Sequence, residues 1–253
     1  MKNKIITFLS LKGGVGKTTS VANISAALAK NGKKILIIDM DPIGNLTSNL
    51  CSQSTSLYIH HILKKKASIK SAKISISNNI DLIPSSIDLS FYIMESDFEE
   101  NLKNFKEALE KIEKNYDYIL IDTSPSWGYL NQLILTVSNK VIIPVKCDYF
   151  SFESISSILR TIRIVQKKYN KDLNIAGIII NMFDKRLTNH AESLFQISSI
   201  FKDSIYNTII PQDITIAKLQ SKKKTIVDSE PWKPAGIAYF ELANEIISKF
   251  LEK

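Results

Sequence analysis

Apolar residues occur along the chain both in short continuous runs and in longer periodic stretches. The continuous runs predict buried strands over residues 4–10, 34–41, 79–85, 116–126, 140–145 and 174–180. Stretches with an apolar residue every three or four positions predict helices over residues 17–30, 97–115, 151–169, 188–201 and 235–251. Strands that alternate with helices are typical of a parallel sheet that helices cover on both faces.

The rest of the chain has a weaker pattern. Residues 46–78 are rich in Ser and Lys, and we predict short helices there. An apolar segment at 204–211 follows the helix at 188–201. No repeat and no Pro-, Gly- or Ser-rich linker divides the 253 residues. We therefore predict a single doubly wound α/β domain over residues 1–253, with a mostly parallel sheet, and no N-terminal helix-turn-helix domain.

Composition adds little beyond the class of protein. The chain is 44% hydrophobic and 23% charged, and no apolar run approaches the roughly 20 residues of a membrane span. The first apolar run lacks the small-residue cleavage site of a signal peptide. Cys51 and Cys147 are too few for a disulfide framework, which favours a reducing cytoplasm. The net charge of +8 favours nucleic acid or an anionic membrane as a partner, although a simply solvated surface explains it as well.

The segment LKGGVGKTT, residues 11–19, follows the first strand and opens the first helix. Glycines in this position let the backbone turn and aim N–H groups at phosphate oxygens, and the helix N-terminus adds partial positive charge. Lys17 is expected to reach the β- and γ-phosphates, and the Thr18 hydroxyl to bind Mg²⁺. The residues predicted to bind nucleotide here are Lys12, Gly13, Gly14, Val15, Gly16, Lys17, Thr18 and Thr19.

Three aspartates end apolar strands. Asp39 and Asp41 close the second strand, and Asp122 closes the run YILID. In open α/β sheets, ligands bind outside the carboxyl ends of the strands. One carboxylate is needed to hold Mg²⁺, usually through water, and another to orient or deprotonate an attacking water. A lone aspartate here is usually a turn or a helix cap, but three beside a phosphate loop indicate a nucleotide site.

The segment KGGVGKTT resembles the deviant Walker A motif of the ParA/MinD superfamily of P-loop ATPases. The resemblance implies that Lys12 crosses the interface of an ATP-sandwiched dimer and touches the partner's nucleotide. It also implies that Asp41 is the catalytic aspartate, with Lys12 and Lys17, and that Asp39 and Asp122 are the metal-side acids together with Thr18. The sequence departs from the family pattern at Ile43, where Gln is usual, and at Ser124, where Pro is usual.

The second half of the chain is similar to the ParA branch of that superfamily. VIIPVKCDYFSFESI (141–155) and IIINMFDKR (178–186) resemble ParA segments, which implies that Asn181 contacts adenine and that Arg186 binds DNA. In the segment 209–226, Pro211 keeps its place near the base, while Gln212 and Lys218 replace the usual Arg and Glu. The basic residues predicted to bind DNA are Arg186, Lys218, Lys222, Lys223 and Lys224, although the lysine run is equally consistent with a solvated loop.

The last predicted helix distinguishes ParA-type from MinD-type relatives. Its apolar positions are Ile237, Phe240, Ala243, Ile246, Ile247 and Phe250. A membrane-binding helix carries a Lys/Arg-rich polar face, whereas this one carries Glu241, Glu245 and Glu252 and only Lys249 and Lys253 as basic residues. We therefore expect it to pack on the core.

The resemblance implies a ParA-type partition ATPase. Such a protein would bind ATP and Mg²⁺, dimerise with ATP and bind DNA without sequence preference in the cytoplasm, at the nucleoid. A ParB-type partner would stimulate its slow hydrolysis. The alternatives are a MinD- or flagellar-type positioning ATPase at a membrane and a nucleotide-switched scaffold that hydrolyses poorly. A metabolic enzyme such as a dethiobiotin synthetase relative is less well supported, because it has no use for Lys12.

Overall fold

One sheet forms the centre of the molecule. The computed structural model describes residues 4–148 and 151–248, and within them seven strands join in the order β3-β4-β2-β5-β1-β6-β7. Every pairing is parallel except that of β3 with β4, which confirms the predicted doubly wound, mostly parallel sheet. The strands are β1 (Ile5–Phe8), β2 (Ile35–Asp39), β3 (Ile74–Ser77), β4 (Ile80–Ile83), β5 (Tyr118–Asp122), β6 (Lys140–Lys146) and β7 (Asn174–Asn181).

Helices cover both faces of this sheet. The longer ones are α1 (Lys17–Lys30), α5 (Asp88–Glu95), α6 (Phe98–Glu110), α7 (Tyr129–Val137), α8 (Ser151–Lys168), α9 (Thr188–Phe201) and α12 (Pro234–Ile246). The shorter ones are α2 (Asn45–Leu50), α3 (Ile59–Leu63), α4 (Ile69–Ala72), α10 (Ile214–Gln220) and α11 (Ile226–Ser229). Single 3₁₀ turns follow α6 (Glu113–Asn115) and α9 (Lys202–Ser204). In the part of the chain described, none of these helices is long and apolar enough to cross a bilayer.

Alternate residues of a strand pack into two different hydrophobic cores, because successive side chains of a strand point to opposite faces of the sheet. Ile35 and Ile37 of β2 pack with α1 and α12, whereas Leu36 and Ile38 pack with the helices α3 to α7. A third cluster lies between β6, β7, α8 and α9. The central strands β1, β2 and β5 are buried on both faces, which is why they read as continuous apolar runs in the sequence.

The terminal helix packs on the core as expected. Of its predicted apolar positions, Ala243 and Ile246 are buried in the core that includes α1, and Phe240 and Ile247 pack against it. Ile237 is the exception among the described ones, since 46% of it is exposed. The predicted positions Phe250, Lys249, Glu252 and Lys253 lie outside the described residues.

The Ser- and Lys-rich region contains the short helices α2, α3 and α4, as predicted, but ends in a strand. Ile74–Ser77 pairs antiparallel with β4 at the edge of the sheet, so the prediction of helix up to residue 78 was wrong there. Ile74 is buried and Ser75 is exposed, and this strict alternation is the pattern of a half-buried strand. The apolar segment 204–211 makes only isolated parallel bridges, at Ile205 and Pro211.

Candidate active site

The loop between β1 and α1 has the backbone that a phosphate site needs. Gly14 and Gly16 have φ angles of 74° and 80°, a region that favours glycine. A Cβ at Gly16 would lie 2.3 Å from Nδ2 of Asn181, so that position excludes every side chain. Gly13 shows neither constraint, because a Cβ there would meet open space. The loop therefore depends on two of its three glycines for its shape.

Asn181, at the carboxyl end of β7, braces this loop. Its Nδ2 donates to the carbonyl oxygen of Val15 at 2.9 Å and to Oγ of Ser20 at 3.2 Å. Its Oδ1 accepts from the Met182 N–H, and only 1% of the residue is exposed. The residue that the resemblance assigns to adenine thus holds the phosphate loop against β7. Pro211 lies near the same end of β7, because it forms an isolated parallel β-bridge with Phe183.

Asp122 joins the two predicted phosphate-binding side chains. Nζ of Lys17 donates to Oδ1 of Asp122 at 2.9 Å and also to the carbonyl oxygen of Thr123. Oγ1 of Thr18 donates to Oδ2 of the same carboxylate at 2.7 Å. Phe8 and Asp39 are the register partners of Asp122 on the two adjacent strands. Parallel pairing therefore brings Lys17, Thr18, Asp39 and Asp122 to one edge of the sheet.

Asp39 is fully buried at this edge. Its Oδ2 accepts from N–H and Oγ1 of Thr47, at 2.9 and 2.7 Å, and its Oδ1 accepts from the Asp41 N–H at 3.1 Å. Burial raises the pKa of Asp39 to about 7, the negative charge of Asp122 adds to this, and the bonds from Thr47 oppose it. Thr47, on α2, was not predicted as a site residue, since nothing in its local sequence distinguishes it from any other helical threonine.

Asp41 lies just beyond the end of β2. Its Oδ1 accepts from the Ile43 N–H at 3.1 Å, and its carbonyl oxygen accepts from the Gly44 N–H at 2.9 Å. The residue is 4% exposed, and burial raises its pKa above the ordinary value. The side chain of Ile43, at the position where the family usually has Gln, is 69% exposed. The loop thus encloses the carboxylate while the substituted side chain points away from the core.

Lys12 lies on the outer side of the loop and pairs within its own chain. Its Nζ is 2.5 Å from Oδ2 of Asp148, which follows β6. Ser151 holds that aspartate by donating to Oδ1 at 2.9 Å and accepting from the Asp148 N–H at 3.0 Å. The two lysines of the motif therefore have different environments, since Lys17 is buried on Asp122 and Lys12 is half-exposed. Asp148 was not predicted, because its partner is 136 residues away.

The oxygen atoms of Thr18, Asp39 and Asp122 suit Mg²⁺, which prefers hard oxygen ligands and keeps several waters. No group of three His, Cys, Asp or Glu side chains in residues 4–148 and 151–248 could hold a metal ion by itself. This edge of the sheet therefore offers hydroxyl and carboxylate oxygens of the kind that magnesium prefers.

The residues predicted to bind DNA do not share one environment. Arg186 is bonded to Asp184, with its NH2 atom 2.6 Å from Oδ2, and this pair lowers the pKa of Asp184. Lys223 donates to the carbonyl oxygen of Cys51 at 2.6 Å. Lys218, Lys222 and Lys224 are exposed, and none of the three has an ion pair within the described part of the chain.

One further contact joins this region to the phosphate loop. Nε2 of Gln220, the last residue of α10, donates to Oγ1 of Thr19 at 2.9 Å. Thr19 is therefore placed beside the predicted nucleotide site, but its hydroxyl faces α10. No local pattern signals this contact, because it depends on how α10 packs on α1.

Comparisons with known proteins agree with this geometry. A family model described as an AAA domain matches residues 3–175. Soj, the sporulation initiation inhibitor protein of Bacillus subtilis, is 37% identical over 248 residues, which cover 96% of this chain and 98% of Soj. The putative plasmid partition protein of Borrelia burgdorferi bound to AMPPNP is 31% identical with a TM-score of 0.78, and the match covers 99% of both chains.

A metabolic enzyme has a similar structure. Cobyrinic acid a,c-diamide synthase from Mycobacterium smegmatis, solved with ADP and magnesium, has a TM-score of 0.81 at 28% identity, covering 96% of this chain and 93% of the enzyme. The fold is thus shared with an enzyme of different purpose, while the relatives that match at the higher identities include Soj and the Borrelia partition protein. The chain belongs to the ParA/Soj family of ATPases, within the ParA/MinD superfamily.

Proposed function

We propose that this protein is a ParA-type partition ATPase that binds Mg²⁺-ATP at the carboxyl edge of its sheet. The observation that carries the proposal is the meeting of Lys17, Thr18, Asp39 and Asp122 beside a loop shaped by Gly14 and Gly16. The AMPPNP of the Borrelia protein and the ADP and magnesium of the Mycobacterium enzyme support the same choice of ligands.

In this proposal, the N–H groups from Gly13 to Thr19 hold the phosphates, and Lys17 leaves Asp122 to bind their oxygens. Thr18 and Asp122, with Asp39 behind them, would hold Mg²⁺, which would supply positive charge to the phosphates. Mg²⁺ would then compensate the buried negative charge of Asp122, which Lys17 compensates in the structure. Asn181 and Pro211 border the base, with Asn181 also bracing the loop.

Asp41 is the proposed general base. Its carboxylate is buried at the edge of the phosphate loop, and its raised pKa brings it closer to the operating pH, where a base is most effective. The Ile43 and Gly44 N–H groups fix the peptide around it. Asp41 therefore orients the attacking water and accepts its proton as the γ-phosphate is transferred.

Lys12 is the proposed sensor of a second subunit. In the single chain it pairs with Asp148 at the outer side of the loop. In an ATP-dependent homodimer its ammonium would leave Asp148 for the partner's nucleotide, which makes dimerisation depend on ATP. We propose that this dimer binds DNA without sequence preference, through Lys218, Lys222, Lys223 and Lys224 with Arg186, and that a ParB-type partner stimulates slow hydrolysis.

The cargo would be a plasmid or a chromosome, and the site of action the nucleoid in the cytoplasm. The names of the Borrelia partition protein and of the chromosome partitioning protein of Caulobacter vibrioides support this choice over a membrane-bound positioning ATPase. Lys223 is also exposed and keeps further N–H donors beside its bond to the carbonyl oxygen of Cys51, so it stays part of the proposed DNA surface.

Hydrolysis and DNA binding together test the proposal. We expect the wild type to bind duplex DNA more tightly in ATP than in ADP, and Lys12→Ala to lose this ATP dependence of binding. Asp41→Ala should bind ATP but lose at least about 100-fold in single-turnover hydrolysis, the usual value of a positioned base. Asp203→Ala, at an exposed aspartate of the 3₁₀ turn after α9, is the matched control.

Two results would contradict the proposal. An unchanged rate in Asp41→Ala would remove the assigned base, and no hydrolysis in the wild type with a partner present would make the protein a nucleotide-switched scaffold. ATP-dependent sedimentation with liposomes, without DNA binding, would indicate a membrane-positioning ATPase instead.

A further inference from the structure

A large cavity lies at the end of the sheet opposite the nucleotide site. It is an open groove of about 1480 Å³ at the amino ends of the strands, bordered by α3, α4, the end of α6 and the edge strand β3. Lys4 and Lys34, which immediately precede β1 and β2, lie on its wall. A strand of five residues at about 3.3 Å each places the groove roughly 15 Å or more from the phosphate loop.

Lysines dominate this surface, which we call the lysine groove. Eight lysines line it against three acids, Asp81, Glu107 and Asp117. Each acid is already engaged: Asp81 by Lys73 at 2.6 Å, Glu107 by Lys65 at 3.0 Å, and Asp117 by the Lys34 N–H at 2.7 Å. The charge that remains is therefore strongly positive.

Six of the lysines have no ion pair within the described part of the chain. They come from four separate segments and converge only in the fold: Lys4, Lys34, Lys66, Lys70, Lys111 and Lys114. All but Lys4 are exposed, and Lys4 donates to the carbonyl oxygen of Tyr116 at 3.0 Å. The hydrogen bond from Lys65, with the positive charges of Lys65, Lys103 and Lys111 adding to it, lowers the pKa of Glu107 on α6.

The position of Lys65 is a second, independent observation in favour of charge in this groove, because a lysine stands there at a backbone position that usually carries glycine. Lys65 has a φ of 54° at the end of α3, where the Lys65 and Lys66 N–H groups donate to the carbonyl oxygens of Ile62 and His61. This is the Schellman arrangement, in which glycine is the usual residue because a Cβ is strained at positive φ. The chain places a lysine there, and its ammonium projects to Glu107 at the groove wall.

The lining also restricts the kind of ligand. At about 1480 Å³ the groove exceeds the 300 to 1,000 Å³ typical of small-molecule sites. None of the large hydrophobic residues that are exposed elsewhere lines it, so it lacks the anchors of a membrane or peptide site. Its one aromatic residue, Tyr116, is buried with its hydroxyl bonded to Asp81, so no ring is free to stack on an unpaired base.

We propose that the lysine groove binds the phosphate backbone of duplex nucleic acid, without sequence preference and in any nucleotide state. Lysine ammonium groups act as point charges on phosphate oxygens, and the exposed amides of Asn78 and Asn115 add neutral donors. The groove faces away from the phosphate loop, so a dimer formed across that loop would leave it open. The proposal does not rest on ATP-controlled DNA binding.

The test uses full-length protein without nucleotide and a labelled duplex of about 30 base pairs, titrated by fluorescence anisotropy between about 50 and 200 mM salt. The groove variant carries Lys66→Gln, Lys70→Gln, Lys111→Gln and Lys114→Gln. The matched control removes the same charge from exposed lysines near the other edge of the sheet: Lys167→Gln, Lys168→Gln, Lys171→Gln and Lys202→Gln.

We expect the groove variant to bind at least about tenfold more weakly at low salt, with the slope of log Kd against log salt reduced by about 3. The control should stay within about threefold of the wild type. Lys65→Gly should weaken binding about threefold without lowering the thermal midpoint, because glycine suits that backbone. This variant separates lost charge from lost folding.

Several outcomes would overturn the proposal. These are no duplex binding without nucleotide, equal weakening by the groove and control variants, or tighter binding of a single strand, polyglutamate or phosphatidylserine vesicles than of duplex at equal charge. ATP-dependent DNA binding that survives in the groove variant would leave the partition function intact, so the two proposals fail separately.

Discussion

Nζ of Lys223 donates a 2.6 Å hydrogen bond to the carbonyl oxygen of Cys51, across 172 residues of sequence. Cys51 caps α2, and Thr47 on that helix binds the buried carboxylate of Asp39. A lysine of the basic run is thus fixed to the helix that follows the proposed catalytic loop. We therefore expect a displacement of α2 to move Lys222 and Lys224, which lie on either side of the bonded residue.

We expect Lys223→Met to lower the free energy of unfolding by about 1 kcal/mol, since it removes a charged hydrogen bond that is partly open to solvent. Lys222→Met, the adjacent control, should change it by less than about 0.5 kcal/mol. Urea unfolding of the three proteins measures both values. An equal effect of the two substitutions would mean that the bond to Cys51 does not stabilise the fold.

The phosphate loop offers a matched pair of glycine substitutions. Gly16→Ala should abolish nucleotide binding and lower the free energy of unfolding by about 2 kcal/mol or more, because it combines positive φ with overlap on Asn181. Gly13→Ala should fold with a change below about 0.5 kcal/mol, since its Cβ meets open space. Urea unfolding and titration with a fluorescent ATP analogue measure these effects, and a stable Gly16→Ala protein would contradict the described loop.

Asn181→Asp tests whether the amide braces the loop. The substitution replaces the Nδ2 donor with an oxygen that faces the carbonyl oxygen of Val15, so we expect a loss of about 3 kcal/mol in stability. The loss should grow as the pH rises and the new carboxyl ionises. Asn174→Asp, at the exposed start of β7, is the control and should stay near the wild type. Unfolding curves at pH 5 and pH 8 measure how this loss depends on pH. Both values lie roughly one unit or more above the ordinary pKa of Asp.

Buried His60 predicts a loss of stability in mild acid. Burial, with the positive charges of His61 and Lys64 adding to it and Asp88 opposing, lowers the pKa of His60 to about 4. The unfolded chain therefore binds a proton that the folded chain does not, from an unfolded pKa of about 6.5 down to about 4. The contribution of His60 to the free energy of unfolding is fully present above about pH 6.5. It is lost as the pH falls from about 6.5 to about 4.

The difference between wild type and His60→Leu isolates this effect from Asp39, whose raised pKa acts in the opposite direction. Between pH 6 and pH 4, we expect the free energy of unfolding of the wild type to fall, relative to that of the variant, by up to about 1 kcal/mol per pH unit. Urea unfolding at each pH gives the difference. A constant difference across the range would mean that His60 does not titrate on unfolding.

Much of the fold and the centre of the site could be predicted from the sequence, because both depend on local pattern. Helix α1 runs from Lys17 to Lys30 as predicted, and β1, β2 and β5 lie within the predicted runs, while β6 and β7 extend one residue beyond theirs. The glycines, Lys17, Thr18 and the strand-end aspartates carry their chemistry in residue type and position, and parallel pairing then brings them to one edge. Strand β3 was missed although its alternation of Ile and Ser was visible.

What the tertiary structure alone decided is which side chains meet. Asp148 pairs with Lys12, Thr47 donates to Asp39, Gln220 donates to Thr19, and the carbonyl oxygen of Cys51 accepts from Lys223. No local pattern encodes any of these contacts. The lysines of the groove are ordinary surface residues in the sequence and become a single electrostatic surface only where their four segments converge. Local periodicity specifies which face of an element is buried, whereas long-range packing determines the neighbours of each polar group, and the charge of a site depends on those neighbours.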